Sequence, residues 1–337
     1  MTRLLQAMAG APHGGAENFF VRLAGALQRD GQEQRVLIRG DAARAGELRR
    51  AGVTVAEAAF GGRFDFATRR AFRREIATWR PDTVLTWMSR ATQFCPRGNF
   101  VHLARLGGYY DLKYYRGCDH LIGNTRAIVD YAVTHGWAAE RVHYLPNFVP
   151  DPGRRPREVR EGGGVRAMAL GRLHPNKAFD VLLDALAHAP GIDLWIAGDG
   201  DRLGALRLQA SRLGLGARVR FLGWQDDVWP LLETADFLVC PSRLEPLGNV
   251  VIEAWAAGVP VIATASDGPA ALISPGETGL LVPVDDAAAL AGAMSRVAGD
   301  SALRASLAGA GRLAYEAEFT EAAVVARYRE LFDRVVR

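Results

Sequence analysis

Short apolar segments of strand length alternate with amphipathic stretches along the whole chain, and this alternation constrains the fold more than any other feature. Strand, helix and strand in succession bury their apolar faces as a parallel sheet covered by helices. In the first half the pattern predicts strands at 3–8, 34–38, 53–56, 83–87, 100–104 and 120–122. Helices fall between them, for example at 17–29 after a pair of glycines, and at 66–79, where Arg80-Pro81 stops the turn. The second half repeats the rhythm, with strands at 166–170, 193–197, 219–222, 237–240, 259–263 and 279–282 and helices at 178–187 and 203–213.

A chain of 337 residues exceeds the size at which one hydrophobic core stops growing. The seam lies near 147–165, where Pro150, Pro152 and Pro156 alternate with charged residues before Gly162, Gly163 and Gly164. The expected architecture is α/β: two Rossmann-like parallel-sheet domains facing a cleft, with ligands outside the carboxyl ends of the strands. The first domain spans 1–150 and the second 165–316, with a C-terminal helix at 317–337 expected to pack back on the first domain. Apolar residues at 49% and charged residues at 23% exclude a disordered chain. No apolar run approaches the roughly 20 residues of a membrane span. Residues 3–8 run straight into a glycine turn without a cleavage site, so a cytoplasmic location is expected. Cys95, Cys118 and Cys240 are isolated, without metal-ligand spacing, and imply neither disulfide nor zinc. Charge is uneven. Residues 1–150 carry 21 basic against 13 acidic side chains, a net +8, and residues 151–337 carry 20 against 24, a net −4. The first half therefore favours an anionic partner. Every basic residue except Lys113 and Lys177 is an arginine, which singles out Lys177.

Three segments carry chemistry. EPLGNVVIEAWAAGVPVIAT, residues 245–264, follows an apolar strand and opens a helix near Asn249. A helix N-terminus offers backbone N–H groups and partial positive charge to a diphosphate. Glu245 precedes that helix and Glu253 lies about one turn inside it, so the two carboxylates can accept hydrogen bonds from rings on either side of a phosphate; a loop charge and an ordinary first-turn glutamate explain them equally well. GRLHPNKAFDVLLDAL, residues 171–186, places Arg172 and Lys177 around a turn after a strand. Two cations there can clamp a leaving diphosphate; a solvated loop is the alternative. APHGGAENFF, residues 11–20, puts Gly14-Gly15 directly after the first strand, but it is no G-x-G-x-x-G fingerprint, and a plain strand-to-helix turn reads as well.

Together these segments resemble the retaining glycosyltransferases of family 4, which have the GT-B fold, over nearly the whole chain. GGAE after the first strand, GR followed by a lysine, IAGDG at 196–200, the E-x7-E of Glu245 and Glu253, and GPAALISPGETGLLVP at 268–283 stand in the family's order. The resemblance implies that Arg172 and Lys177, beside Gly171, bind the donor's phosphates, that Glu253 holds the ribose hydroxyls, and that Glu245 contacts the donor sugar. It places Gly15 close to the diphosphate and the backbone amides around Leu247, Gly248, Asn249 and Val250 on the phosphates. The donor is then a nucleotide-diphosphate sugar, used without a cofactor.

One departure stands out. Many members carry a histidine at the end of a first-domain strand, and here Gly107 falls at that place, in VHLARLGGYYDLKYY. His102 lies earlier in the strand, where a packed histidine is the plainer reading. Arg105 and Asp111, with Gly14, are the alternative acceptor-side contacts, and no general base is named. Asp199-Gly200-Asp201 imitates a D-x-D metal motif, but the family has a metal-free turn there, so metal independence is expected. The seven tryptophans form no stacking array for nucleic acid. Acceptors bind the first domain in this fold. Arg69, Arg70, Arg73 and Arg74 share one face of the 66–79 helix, suited to anionic head groups or a phosphorylated glycolipid, with a solvated face as the alternative. Tyr109, Tyr110, Asp111, Lys113, Tyr114 and Tyr115 form a polar–aromatic loop suited to sugars. Residues 107–125 resemble bacterial enzymes of lipopolysaccharide core and surface glycans, so a glycan or glycolipid acceptor is expected, with peripheral contact at the inner face of the membrane. A nucleotide-sugar epimerase and a non-catalytic binding protein of the same fold are the competing readings.

Overall fold

The structure, a computed structural model, describes residues 2–11, 14–62, 64–153 and 164–336. It divides into two compact units: Met1–Asn147 with Glu321–Arg337, and Phe148–Thr320. Most of the proline- and glycine-rich seam, 154–163, lies outside the described residues, as do Pro12 and His13 of the first glycine loop.

The first unit holds a parallel sheet of β1 (Leu4–Met8), β2 (Gln34–Arg39), β3 (Thr54–Ala58), β4 (Thr83–Trp87), β5 (Val101–Leu106), β6 (His120–Gly123) and β7 (Val142–Tyr144). The strands lie in the order β3-β2-β1-β4-β5-β6-β7. All but β7 were legible as apolar runs; β7 is three residues long and only its Val142 is buried, so no periodicity marks it. The second unit repeats the design with β8 (Val165–Leu170), β9 (Ile192–Ala197), β10 (Val219–Gly223), β11 (Phe237–Cys240), β12 (Val261–Thr264) and β13 (Leu280–Val282), in the order β10-β9-β8-β11-β12-β13. In each unit the order reverses beside the first strand, between β1 and β4 and between β8 and β11. Loops leaving those strands diverge to opposite faces and open a crevice at the carboxyl edge.

Burial explains the continuous apolar runs. β1, β4, β11 and β12 are buried along their whole length, because helices cover both faces of a parallel sheet. In the second unit one cluster around Leu182, Leu194, Phe237 and Leu290 packs on one face, and another around Val251, Trp255 and Tyr315 on the other. The helix Phe66–Trp79 begins where Asp65 accepts from the Thr68 amide (2.9 Å) and ends at Arg80, whose left-handed backbone (φ 49°) precedes Pro81. The last helix, Glu321–Val336, belongs to the first unit. Its Val324, Val325, Tyr328, Leu331 and Phe332 are buried, and Glu321 and Arg329 pair with Arg29 (2.7 Å) and Asp30 (2.5 Å).

Candidate functional site

In the second unit the loops after β8 and β11 meet at the topological switch point. After β8, residues Pro175–Lys177 form one 3-10 turn, and Ala178, buried with a left-handed φ of 50°, turns the chain into the helix Phe179–Ala187. The Lys177 stem lies over Gly171: a Cβ there would stand 3.4 Å from Lys177 Cε. Lys177 Nζ reaches the Glu245 carboxylate, which is only 8% exposed, and forms an ion pair with it. Glu245 also accepts from the Gly248 amide (3.2 Å), while its own carbonyl accepts from Gly268 N (2.7 Å). Gly248, left-handed at φ 81°, caps the helix Asn249–Ala256, with Glu253 half-buried one turn in. Lys177, Glu245, Gly248 and Gly171 are therefore one cluster. Arg172 is exposed beside it and forms no ion pair among the described residues. Leu247, Asn249 and Val250 line the same capping turn, half-buried; the Gly248 amide is already engaged by Glu245 rather than open.

Two features hold the cluster that the motifs did not disclose. Glycines at 198, 200 and 268 let backbone pass over backbone. A Cβ on Gly198 would lie 1.9 Å from Gly171 O, on Gly200 2.6 Å from Leu173 O, and on Gly268 2.5 Å from Leu247 C. The IAGDG segment is thus a buttress under the Gly171–Leu173 turn, and Asp199 accepts from the Gly200 amide (2.7 Å). The second feature is Arg243. Its guanidinium forks onto Asp180 (2.8 and 3.0 Å), its Nε meets Asp285 (2.5 Å), and it donates to Pro175 O (2.9 Å), while its amide donates to Asn176 O (2.8 Å). This pins the lysine turn to the glutamate loop. Burial pushes the Asp180 carboxyl up, but the Arg243 hydrogen bonds and charge outweigh it and hold it below the usual range. In a sequence with this many arginines, nothing marked Arg243. The neighbouring Cys240 thiol is pushed up to about 11 by burial and the Glu245 charge, so it stays protonated and inert.

In the first unit Gly14 precedes the helix Gly15–Arg29, and Gly15 is exposed with open space around its Cβ position. Glu17 is buried and folds back over the loop, accepting from Ala11 N (2.8 Å); Cβ atoms at Gly10 or Gly14 would strike its side chain. The acceptor-side candidates do not converge. His102 sits buried at the amino end of β5, bonded to Thr86 Oγ1 (2.9 Å), and desolvation pushes it down to about 4 despite nearby Asp119. Arg105 is 2% exposed, stacked between Phe19 and Trp87 (4.7 Å each) and bonded to Tyr328 (2.9 Å) and Asn147. Both are packing residues of the sheet. Asp111 is exposed, caps the turn Leu112–Tyr115 through Lys113 N (3.0 Å), and is held below the ordinary carboxylate range by hydrogen bonds from Lys113. Of the tyrosine loop, Tyr109 and Tyr114 are exposed, whereas Tyr115 is fully buried and stacks on Tyr110. The four arginines of the Phe66–Trp79 helix also part: Arg69 leans over the Phe94 ring (5.4 Å), Arg74 approaches Glu75 (3.4 Å), and Arg70 and Arg73 face solvent.

The family model of glycosyltransferase family 4 matches residues 13–152, and that of the group 1 glycosyl transferases matches 164–300. The chain is 35% identical to the lipopolysaccharide core biosynthesis glycosyltransferase LpsE of Rhizobium meliloti, over 94% of this chain and 95% of that protein. It is 33% identical to LpsD of the same organism, over 96% of each. Among solved structures, Anabaena HepE in complex with UDP superposes with a TM-score of 0.85 at 21% identity, covering 99% of this chain and 100% of that one.

Proposed function

Because the chain belongs to glycosyltransferase family 4, we propose that it is a retaining transferase that moves a sugar from a UDP-sugar onto a lipopolysaccharide-core or similar surface-glycan acceptor. The observation that carries this reading is the Lys177–Glu245 ion pair beside the N-terminus of the helix Asn249–Ala256, at the switch point of the second sheet. As the donor enters, its diphosphate takes the place of Glu245 on Lys177, and exposed Arg172 closes from the other side. Glu245, released, accepts from the sugar hydroxyls, and Glu253 accepts from the ribose. The bond between the anomeric carbon and the phosphate oxygen breaks with its electron pair going to that oxygen. An acceptor hydroxyl oxygen bonds to the anomeric carbon on the same face, and the hydroxyl's proton passes to the departing phosphate. The two cations and the helix N-terminus stabilise the growing charge there, work that a metal performs in other transferases. The reaction is therefore read as metal-independent. UDP as the nucleotide follows the HepE complex, and the acceptor class follows LpsE and LpsD.

We place the acceptor on the first unit, with the protein acting in the cytoplasm at the membrane surface. Phe64 and Phe66 are 80% and 72% exposed beside the solvent-facing Arg70 and Arg73. Aromatic rings with arginines suit an anionic bilayer surface. No helix among the described residues is long and apolar enough to cross a membrane. The test is nucleotide release from a panel of UDP-, GDP- and ADP-sugars, with and without a glycolipid extract. Release from a UDP-sugar, accelerated by the extract and giving a product of unchanged anomeric configuration, is expected. No release from any donor despite thermal stabilisation by UDP would demote the protein to a binding module.

A further inference from the structure

We propose that Arg39, Arg69 and Arg90 form a subsite for an anionic substituent, phosphate or carboxylate, carried by the saccharide acceptor. This rests on the reading that the first unit takes that acceptor. The three arginines come from three separate elements. Arg39 ends β2, Arg69 lies in the first turn of the helix Phe66–Trp79, and Arg90 lies in the helix Met88–Phe94 that follows β4. All converge on the carboxyl edge of the sheet, where ligands of such folds sit. Arg39 Nη2 and Arg90 Nη1 donate to the same oxygen, Phe60 O, at 2.6 and 3.3 Å, so two like charges stand side by side. Phe60 itself adopts a left-handed backbone, φ 45°, that turns its carbonyl toward them.

None of the three arginines forms an ion pair among the described residues. The nearby carboxylate, Asp65, is committed elsewhere: it accepts from Gly61 N (2.7 Å), Thr68 N and Thr68 Oγ1. Elsewhere in this unit, arginines such as Arg3, Arg29, Arg35, Arg44 and Arg49 each meet an acidic side chain. Three convergent guanidiniums without a counter-charge cost self-repulsion that a bound anion relieves. Arg69 and Arg90 border a cavity of about 550 Å³ with Gly61, Gly62, Gln93 and Phe94, and Arg39 meets Arg90 at the Phe60 carbonyl they share. That volume suits a sugar residue. Gly62 leaves backbone open to it, and the Phe94 ring under Arg69 supplies an apolar edge.

The test is saturation-transfer NMR on the full chain with glucose, glucose 6-phosphate, glucuronate and inorganic phosphate as probes, alongside UDP. Glucose 6-phosphate or glucuronate should bind while glucose does not, and whichever binds identifies phosphate or carboxylate. R39Q/R90Q should weaken that binding by roughly tenfold or more, the loss expected for charge-assisted hydrogen bonds. Should R39Q/R90Q disturb the Phe60 loop, R69Q, which touches only a ring, decides: it should weaken the anionic sugar several-fold at an unchanged melting temperature. UDP binding should stay unchanged in every variant; absence of UDP binding in the parent protein sinks the donor reading and leaves this one standing. Equal binding of glucose and its anionic derivatives, or unaltered binding in R69Q and R39Q/R90Q, overturns the proposal. So does inorganic phosphate binding as tightly as glucose 6-phosphate. Weaker association of R69Q with phosphatidylglycerol vesicles, at unchanged sugar-phosphate binding, assigns the arginines to lipid instead.

Discussion

At the scale of single residues, the proposed donor site turns on one lysine whose charge is already balanced by Glu245. Lys177→Ala removes the cation and leaves the Glu245 carboxylate nearly buried without its partner. UDP affinity, read by calorimetry, should fall roughly 10- to 100-fold, since a hydrogen bond to a charged group is worth about 1.5–3 kcal/mol. Unchanged affinity would remove Lys177 from the site. His102 makes a pH prediction. In the unfolded chain it takes up a proton near the ordinary histidine value of 6.5, but burial holds it neutral in the fold down to about 4. Between those values the unfolded state binds more protons, so stability is complete above 6.5 and declines as pH falls toward 4. One such histidine contributes at most about 1.4 kcal/mol per pH unit. Urea midpoints at pH 7 and pH 5 should differ in that direction, and His102→Gln should flatten the difference. His102 read as a packed histidine from its place within a strand, whereas Arg105 was visible as a residue type but not as a packed one, because its burial is set by neighbours distant in the chain.

At the scale of elements, two loops separated by about seventy residues are joined by Arg243 and by the Lys177–Glu245 pair, while Gly198 and Gly200 brace the first loop and Gly268 the second. Gly198→Ala forces a Cβ against Gly171 O and must displace the Gly171–Leu173 turn. We expect a loss of about 2 kcal/mol or more in stability, together with weaker UDP binding; a variant with parental melting and affinity would show that the buttress is dispensable. Arg243→Lys keeps the charge but cannot fork onto Asp180 while also meeting Asp285. UDP binding several-fold weaker than in the parent, with the melting temperature little changed, is the expected result. Equal binding in Arg243→Lys would mean the lysine turn holds its place unaided.

At the scale of the whole molecule, the chain returns in its last helix to the unit where it began. Truncation after Thr320 strips Val324, Val325, Tyr328, Leu331 and Phe332 from the first unit's core and removes the hydroxyl bonded to buried Arg105. Each fully buried side chain contributes about 1.5–3 kcal/mol. Five together rival the 5–15 kcal/mol stability of a typical domain, so roughly the whole margin is lost. Circular dichroism of the truncated protein should show the first unit unfolded or melting far earlier, and a parental melting curve would make the helix an appendage.

The order of elements and the two sheets were legible from sequence, because the period of apolar residues is a local property and parallel strands buried on both faces write it plainly. The places of the candidate donor residues were legible for a related reason: Gly171, Lys177, Glu245, Gly248 and Glu253 sit beside strand ends and a helix start, which sequence locates. What tertiary structure alone decided is which of these groups meet. Strand order brings the loop after β8 to the loop after β11, and no local signal encodes that adjacency. The same holds for Arg243 as a pin between loops and for Gly198 and Gly268 as crossings of backbone. It also separates Arg105, sealed between two rings, from Arg39, Arg69 and Arg90, gathered without a counter-charge. An arginine's residue type is identical in all these places. Its chemistry is fixed by burial and by the charge of its neighbours, and both are settled only when distant segments pack.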